Sequence, residues 1–459
     1  MTLVSALRHS MRRLLRRAVA DRAGSLTTIF AFSLIPLVGF VGLATDYGLE
    51  LAAKSKLDHA ADAAAVAAIT SAQSYIVTYK GTGDPTAAAI AVGKAQGLAQ
   101  FNANTGALPS AAPTPTINVT VVGRQVNATA TYAFSMPTIF MRALGTTAMS
   151  FSGSAASTLT IPAFTNIYVV VDISSSMGIG ATVADQQIVY NATGGCAVAC
   201  HHTGTTDLAR SKGATLRINV AKNAVVSALN QIINSSNANR FQVAVYTMSS
   251  KFTNVYALSS NLSGAVTAVK GLDVTTLNQD GGTNTTYALN NLGNALGADG
   301  DGLTSATAQG FVMLITDGVQ DSDWKVQSGS SWADGYDSNF SPYSPCNQAY
   351  CTKLTGFAVP IYIQSFNPSA CALLKSKGYT MMTLNTTYLV PPQNLRSSST
   401  TLNNVFDYVQ NYLQSSISSN LSNCATSPSF AYSANTPSEI NAAVQQMFAA
   451  AGSQARITN

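Results

Sequence analysis

The pattern of apolar residues begins with one long run near the N-terminus. Residues 26–44 (LTTIFAFSLIPLVGFVGLA) contain no charge, and as a helix they would span about 28 Å, enough to cross the hydrocarbon of a bilayer. Residues 47–72 are rich in Ala, Leu and Lys, which predicts that the helix continues beyond the apolar run. An Ala-rich face there, around residues 60–68, suits either self-assembly or packing against the protein's own domain.

The middle of the chain changes to a period of two. Residues 116–132 alternate β-branched and polar side chains around Gly123 and Arg124, which predicts a β-hairpin. A helical stretch near residues 87–101 precedes it, and residues 150–161 alternate weakly and predict a further strand. We therefore expect a small α+β module over residues 45–161.

The C-terminal part has continuous apolar runs of the kind found in strands that are buried on both faces. Residues 167–171 (IYVVV) and 311–316 (FVMLIT) are the clearest of these. Helices and strands alternate around them, which predicts a doubly wound α/β domain over residues 162–459. The other predicted elements are helices at 217–233, 263–270 and 287–296, strands at 241–246 and 360–365, and a last helix to about residue 450 that begins with a capping box, Thr436 to Glu439.

Charge is concentrated at the N-terminus. Only 10% of the 459 residues are charged, against roughly 25% in soluble globular proteins. Residues 1–25 contain six Arg and one Asp, so the remaining chain, with 19 basic and 19 acidic residues, is neutral. This balance provides no electrostatic basis for nucleic-acid binding. The basic flank instead predicts that residues 1–25 lie in the cytoplasm and that residues 26–44 form a transmembrane helix.

A cleaved signal peptide is the alternative for this N-terminal region. The apolar run is longer than the roughly 7 to 15 residues of a signal-peptide core, and no clear small-x-small cleavage site follows it. We therefore favour a retained, single-pass anchor.

Six cysteines, an even number, all lie in the C-terminal two thirds of the chain. This distribution predicts disulfides formed in an oxidising compartment. Short spacing suggests Cys196 with Cys200 and Cys346 with Cys351, which leaves Cys371 for Cys424. Because His201 and His202 follow Cys200, zinc ligation or haem attachment are alternatives for that segment, although we favour a disulfide.

Oxygen-bearing side chains follow the two central strands. Asp172, Ser174 and Ser176 come directly after the first strand, Asp317 follows the second, and Thr283 lies after a Gly-Gly turn between them. In open α/β sheets such loops meet at one edge and bind ligands there. Two carboxylates and three hydroxyls suit Mg²⁺ or Mn²⁺. Taken alone, Asp172 would be better explained as a helix N-cap and Thr283 as a turn residue, but their occurrence together favours a metal site.

This arrangement resembles the metal-ion-dependent adhesion site (MIDAS) of von Willebrand factor A (vWA) domains. The resemblance implies that all five residues are metal ligands and that residues 162–459 adopt a Rossmann-like vWA fold. It also implies insertions near residues 177–207, 321–351 and 385–423. In such a site the ion accepts one more carboxylate from a partner protein, which is binding and not catalysis.

A stretch of about 50 residues, 21–68, carries a second resemblance. Asp46-Tyr47 after the span, with the run Leu57-Asp58-His59-Ala60-Ala61-Asp62-Ala63-Ala64-Ala65, is similar to TadE/TadG-like proteins of the Flp (tight adherence) pilus machinery. Prepilin-type cleavage at Gly24-Ser25 would need Glu where Ile29 stands, so we expect the anchor to be retained. The resemblance implies a protein of the bacterial inner membrane with its C-terminal domain periplasmic or surface-exposed.

The two resemblances together predict a membrane-anchored factor for Flp pilus assembly or anchoring. Its vWA domain would bind, through the metal, a pilus or envelope protein that presents an acidic residue. The alternative is a surface adhesin that binds a host or matrix protein through the same site. We do not expect an enzyme, because the chain lacks a Walker phosphate loop and a Gly-x-Ser-x-Gly nucleophile elbow, and metal-assisted hydrolysis would lack a general base.

Overall fold

The computed structural model divides the chain into two compact units, Met1–Leu159 and Thr160–Asn459. The predictions for the basic N-terminal segment and for Cys196, Cys200, Cys346 and Cys351 lie outside the residues that it describes. The described residues are 23–79, 83–108, 110, 112–195, 197, 205–275, 282–321, 325–328, 331–334, 352–354, 361–396, 403 and 406–454.

A single helix, α1 (Ala23–Thr78), dominates the first unit. It includes both the apolar run and the predicted continuation, and Pro36 lies inside it without ending it. Among the described residues it is the one helix long and apolar enough to cross a membrane: its most apolar window has a mean hydropathy of 2.0 and is only 6% buried. The predicted continuous helix is confirmed.

The second helix, α2 (Thr86–Thr105), packs closely along α1. Glycines make this close approach possible, since a Cβ added at Gly93 would lie 2.7 Å from the carbonyl oxygen of Ala68. The Ala-rich face of α1 is thereby buried within its own unit, which decides between the two uses we considered for it. The buried alanines are Ala60, Ala61, Ala64, Ala65 and Ala68.

A three-stranded sheet completes this unit, with β1 (Thr116–Val122), β2 (Gln125–Pro137) and β3 (Ala148–Thr160) in that order. β1 and β2 pair antiparallel. Val122 pairs with Gln125 across the predicted turn, where Gly123 adopts a φ of +56°. Every second side chain of β2, from Val126 to Met136, is buried, as expected for a strand with one face on a core. The predicted hairpin is confirmed.

The second unit contains a six-stranded sheet in which only one edge strand is antiparallel. The strands of this sheet are β4 (Thr165–Asp172), β5 (Phe241–Met248), β6 (Phe252–Ser259), β7 (Gln309–Thr316), β13 (Thr380–Thr386) and β14 (Ala431–Ala434). From one edge to the other the strand order is β14-β13-β7-β4-β5-β6, and β6 is the antiparallel strand.

Helices cover both faces of this sheet and create two cores. Ile167, Val169 and Val171 of β4 face one core, whereas Tyr168 and Val170 face the other. This alternation explains why the central strand is apolar at every position. The first core includes α5 (Arg217–Ile233), α6 (Leu262–Lys270) and α10 (Pro437–Gln454), and the second includes α7 (Thr285–Ala295), α8 (Ala372–Ser376) and α9 (Gln414–Cys424).

Further elements lie in the segments between these strands. Two helices, α3 (Val183–Thr193) and α4 (Thr205–Ser211), precede α5, and a π-helical turn (Val409–Leu413) leads into α9. The capping box of α10 is confirmed, because Glu439 N donates to Thr436 Oγ1 and Thr436 N donates to the Glu439 carboxylate. The small strands are β8 (Val319–Asp321), β9 (Lys325–Ser328), β10 (Ser331–Asp334), β11 (Thr352–Leu354) and β12 (Ile361–Ser365).

One predicted strand lies in a different sheet from the one we expected. β12 forms, but it pairs antiparallel with β8 and β11 in a separate three-stranded sheet. Its expected place in the main sheet belongs to β13, which pairs in parallel with β7. The alternation of helices and strands therefore predicts the doubly wound fold correctly but assigns this strand to the wrong partner.

The predicted disulfide between Cys371 and Cys424 is present, with the two Cα atoms 5.4 Å apart. Both cysteines are fully buried, and the bond joins the turn before α8 to the end of α9 across 53 residues. It fastens α9 to the second core.

Removing this bond with the paired variant Cys371→Ala/Cys424→Ala should lower the free energy of unfolding by about 4 kcal/mol, because a loop of this size is no longer restricted in the unfolded chain. Urea denaturation of the full-length protein measures the change. The matched control is Ala370→Gly/Ala425→Gly, next to the two cysteines, which leaves the bond intact. A loss from the cysteine variant no larger than that of the control would contradict a stabilising role.

Candidate metal centre

Asp172 ends β4 and is fully buried. One carboxylate oxygen, Oδ1, accepts a hydrogen bond of 2.9 Å from Ser174 N, and Oδ2 accepts one of 2.6 Å from Thr316 Oγ1. Ser174 Oγ lies 3.0 Å from Ser176 Oγ. The Asp-x-Ser-x-Ser segment therefore folds into a tight loop with three of the predicted ligands side by side.

Asp317 directly follows β7, the neighbour of β4 in the sheet. Val171 pairs with Ile315, so the two strands end together and bring the two carboxylates to the same edge. Asp317 is also fully buried, and its Oδ1 accepts a hydrogen bond of 3.2 Å from Val319 N.

Two buried carboxylates at one edge have an electrostatic consequence. Burial, followed by the charge of Asp317, raises the pKa of Asp172 to about 7, although hydrogen bonds from Ser174 and Thr316 act in the opposite direction. Burial of two carboxylates near each other disfavours two negative charges. A divalent cation would relieve this cost, since it binds the deprotonated form of both groups.

Thr283 lies in the loop before α7 and is 3% exposed. The next residue, Asn284, donates its backbone N–H to the carbonyl oxygen of Ser249 over 2.8 Å. Ser249 immediately follows β5, the other neighbour of β4. The structure therefore places the Thr283 loop at the same edge of the sheet as Asp172 and Asp317.

Three buried polar atoms at this edge have no hydrogen-bond partner among the described residues: Ser250 Oγ, Asn284 Nδ2 and Thr285 Oγ1. More than about 90% of buried polar groups in folded proteins are paired. A cluster of exceptions beside the predicted ligands indicates a place where water or a bound group completes the hydrogen bonding.

The donor set can be tested against the ion that the sequence predicts. In the described ranges no group of three or more His, Cys, Asp or Glu side chains is arranged to hold a metal. A cation at this edge would therefore rely on two carboxylates supplemented by hydroxyls and water. Oxygen donors of this kind fit Mg²⁺ or Mn²⁺ and do not fit softer metals.

Sequence reasoning missed one charged residue of this site, Arg217. Its guanidinium is 2% exposed, with Nη1 3.4 Å from Asp317 Oδ2 and Nη2 donating to Thr386 Oγ1 over 2.9 Å. It also lies 5.9 Å from the ring centre of Tyr388. A charged residue between Leu216 and Ile218 at the start of a buried helix is the sequence signal that could have indicated it.

Each of the two units contains a match to a known protein family. Residues 24–74 match the family described as putative Flp pilus-assembly TadE/G-like, and residues 206–320 match the von Willebrand factor type A domain. The chain joins a TadE/G-like segment to a vWA domain. The resemblance to TadE/G-like proteins, the resemblance to a vWA domain and the predicted α/β fold class are thereby confirmed, whereas the metal-binding role of the five residues stays a prediction. The vWA match includes Thr283 and Asp317 but begins after Asp172.

Several solved structures of pilus proteins are similar to this chain. The pilus adhesin SpaC from Lactobacillus rhamnosus GG has 13% identity and a TM-score of 0.38, covering 74% of this chain and 35% of that one. The vWF domain of the type V pili tip protein Mfa5 from Porphyromonas gingivalis has 12% identity and a TM-score of 0.35, covering 65% and 99%. The chain thus spans about a third of the SpaC chain. No curated protein matches it.

Proposed function

We propose that this protein is a membrane-anchored component of Flp pilus assembly or anchoring, and that its vWA domain binds a partner protein through Mg²⁺ or Mn²⁺. The proposed ligands are Asp172, Ser174, Ser176, Thr283 and Asp317. The observation that carries the metal site is the pair of fully buried carboxylates at the ends of two adjacent parallel strands. The TadE/G-like match in the same chain supports the connection with Flp pili.

The chain's own residues prepare the site. The hydrogen bonds from Ser174 N and Thr316 Oγ1 hold the Asp172 carboxylate in one orientation, and Val319 N does the same for Asp317. Two carboxylates balance the formal charge of a divalent ion, but Arg217 already neutralises part of the negative charge of Asp317, so an ion in this site could still attract a further carboxylate. When bound, the ion would offer one coordination position to a carboxylate of the partner protein.

The proposed location follows from the anchor. α1 crosses the inner membrane once, with residues 1–25 in the cytoplasm and the vWA domain periplasmic or surface-exposed. The basic flank of the apolar run supports this orientation, and the buried Cys371–Cys424 bond suits an oxidising compartment. In this role the protein binds and positions a partner and carries out no reaction.

An Asp172→Ala strain tests the function in the native host. We expect it to lose both surface pili and adhesion while keeping normal protein levels, because the metal-dependent partner contact is lost. Electron microscopy counts the pili, and a surface-binding assay measures adhesion. The matched control is Asp207→Ala, which removes an Asp whose side chain is 80% exposed and should behave as the wild type.

The same strains separate the two functions considered. Normal piliation with lost adhesion would favour the surface adhesin over the assembly factor. Normal piliation and normal adhesion, with the variant present at wild-type levels, would contradict a function for this site.

A further inference from the structure

The loop between β2 and β3 is fastened to α1 just beyond the apolar run. Asp46 is only 1% exposed, and its carboxylate accepts three backbone N–H groups of the loop: Ile139 at 3.0 Å, Phe140 at 2.9 Å and Met141 at 2.7 Å. At its base the loop is closed by a hydrogen bond of 3.1 Å from Thr138 N to the carbonyl oxygen of Thr147. The loop, residues 138–147, is therefore held rigidly against the helix.

The loop contacts the apolar run of α1 at Gly42. A Cβ added at Gly42 would lie 2.5 Å from Phe140 Cβ, so only glycine allows Phe140 to approach the helix this closely. Gly42 and Asp46 are four residues apart and lie on one face of α1. Gly42 is two residues inside the end of the predicted span at Ala44, or about 3 Å along the helix axis. The loop therefore contacts α1 near the C-terminal end of the predicted span.

The loop presents apolar side chains outward at this level. Ile139 is 63% exposed, Phe140 47% and Leu144 72%, and Arg142 is exposed in the same turn. Tyr47 of α1, at the same height, is 59% exposed. Amphipathic aromatics and arginines beside apolar residues are typical of the boundary between hydrocarbon and lipid headgroups.

We propose that the 138–147 loop is a second membrane contact, whose apolar tip enters the outer leaflet beside α1 while Arg142 reaches the lipid headgroups. The proposal rests on the membrane-anchoring role of α1 proposed above. We choose lipid as the binding partner of the loop because Phe140 contacts Gly42, so the exposed apolar side chains of the loop adjoin the apolar surface of α1. Two points of contact would fix the tilt of the first unit relative to the membrane, which a single helix leaves free to rotate.

Fluorescence quenching by brominated lipids tests this contact in the full-length protein reconstituted into liposomes. The probe is Leu144→Trp, with the signal of the native Trp324 and Trp332 subtracted. Val38→Trp, inside the apolar run, reports whether α1 is inserted. The matched control is Val122→Trp, an apolar residue that is 70% exposed but ends β1 opposite Gln125, so the length of β2, roughly 40 Å, separates it from the loop.

With bromines placed near the headgroups, we expect the Leu144→Trp signal to fall at least about twofold and the Val122→Trp signal to remain unchanged. A further substitution, Asp46→Ala, releases the three backbone N–H groups and should reduce the quenching of Leu144→Trp without changing that of Val38→Trp.

The other outcomes are distinguishable. If Val38→Trp is quenched and Leu144→Trp is not, the loop contact is wrong and the anchor stands. Blue-shifted but unquenched emission from Leu144→Trp would show that protein covers the loop, which also overturns the proposal. If neither position is quenched, the anchor itself is wrong, and the loop contact falls with it.

Discussion

Replacing Asp172 with Ala is expected to lower the affinity of the protein for Mg²⁺ by more than about 100-fold, since changes even to residues behind metal ligands cost about 10- to 100-fold. The substitution removes one of only two charged donors at the sheet edge. It also takes away the acceptor that orients Ser174 N and Thr316 Oγ1. Isothermal titration of Mg²⁺ into the purified full-length protein measures the affinity directly.

Two further variants show whether the loss of Mg²⁺ affinity results from removing the Asp172 carboxylate. Asp207→Ala removes an exposed carboxylate and should leave the affinity within about twofold. Asp172→Asn keeps the shape of the side chain but not its charge, so it should bind Mg²⁺ more weakly than the wild type while its near-UV circular dichroism is unchanged. Equal affinity of the wild type and Asp172→Ala would refute Asp172 as a ligand.

The central part of the fold could be predicted from the sequence because its local pattern and its tertiary environment agree. β4 is covered on both faces, so each of its positions from Ile167 to Val171 must be apolar. The carboxylate that ends this run is then conspicuous. α5 likewise begins and ends where its pattern predicts, at Arg217 and Ile233.

β13 shows why the rest of the sheet could not be predicted. Its sequence, TMMTLNT, mixes hydroxyls and an amide with apolar residues, which is not the pattern of a buried strand. Thr383 is nevertheless fully buried, because its hydroxyl donates to the carbonyl oxygen of Leu421 over 3.0 Å. That acceptor lies 38 residues away. A hydrogen bond that forms only in the folded state satisfies this hydroxyl and allows it to be buried. The local sequence gives no indication of this bond.

The site shows the same division between local and distant information. Asp172, Ser174 and Ser176 are close in sequence, so their pattern could be recognised. Arg217 reaches Asp317 across 100 residues and Thr386 across 169. Its role depends entirely on which strands become neighbours. A prediction from sequence therefore includes the carboxylates of the candidate site but omits the Arg217 guanidinium that accompanies them.

Arg217 provides the second large effect. In protein freed of metal with a chelator, Arg217→Gln should lower the free energy of unfolding by about 3–5 kcal/mol, the usual cost of removing one partner of a buried ion pair. Asp317 would then remain buried beside Asp172 with no positive charge within contact in the described structure. Saturating Mg²⁺ should recover much of the loss, because the ion replaces the missing charge.

Urea denaturation with chelator and with saturating Mg²⁺ measures both effects. Arg217→Lys is the matched control: it keeps the positive charge but cannot contact Asp317 and Thr386 together, so its loss should be smaller than that of Arg217→Gln. Because the guanidinium and the ion would both act on Asp317, the stabilisation gained on adding Mg²⁺ should be larger for Arg217→Gln than for the wild type. An identical gain in both would mean that Arg217 and the metal site are electrostatically independent, and that the buried ion pair contributes only to folding.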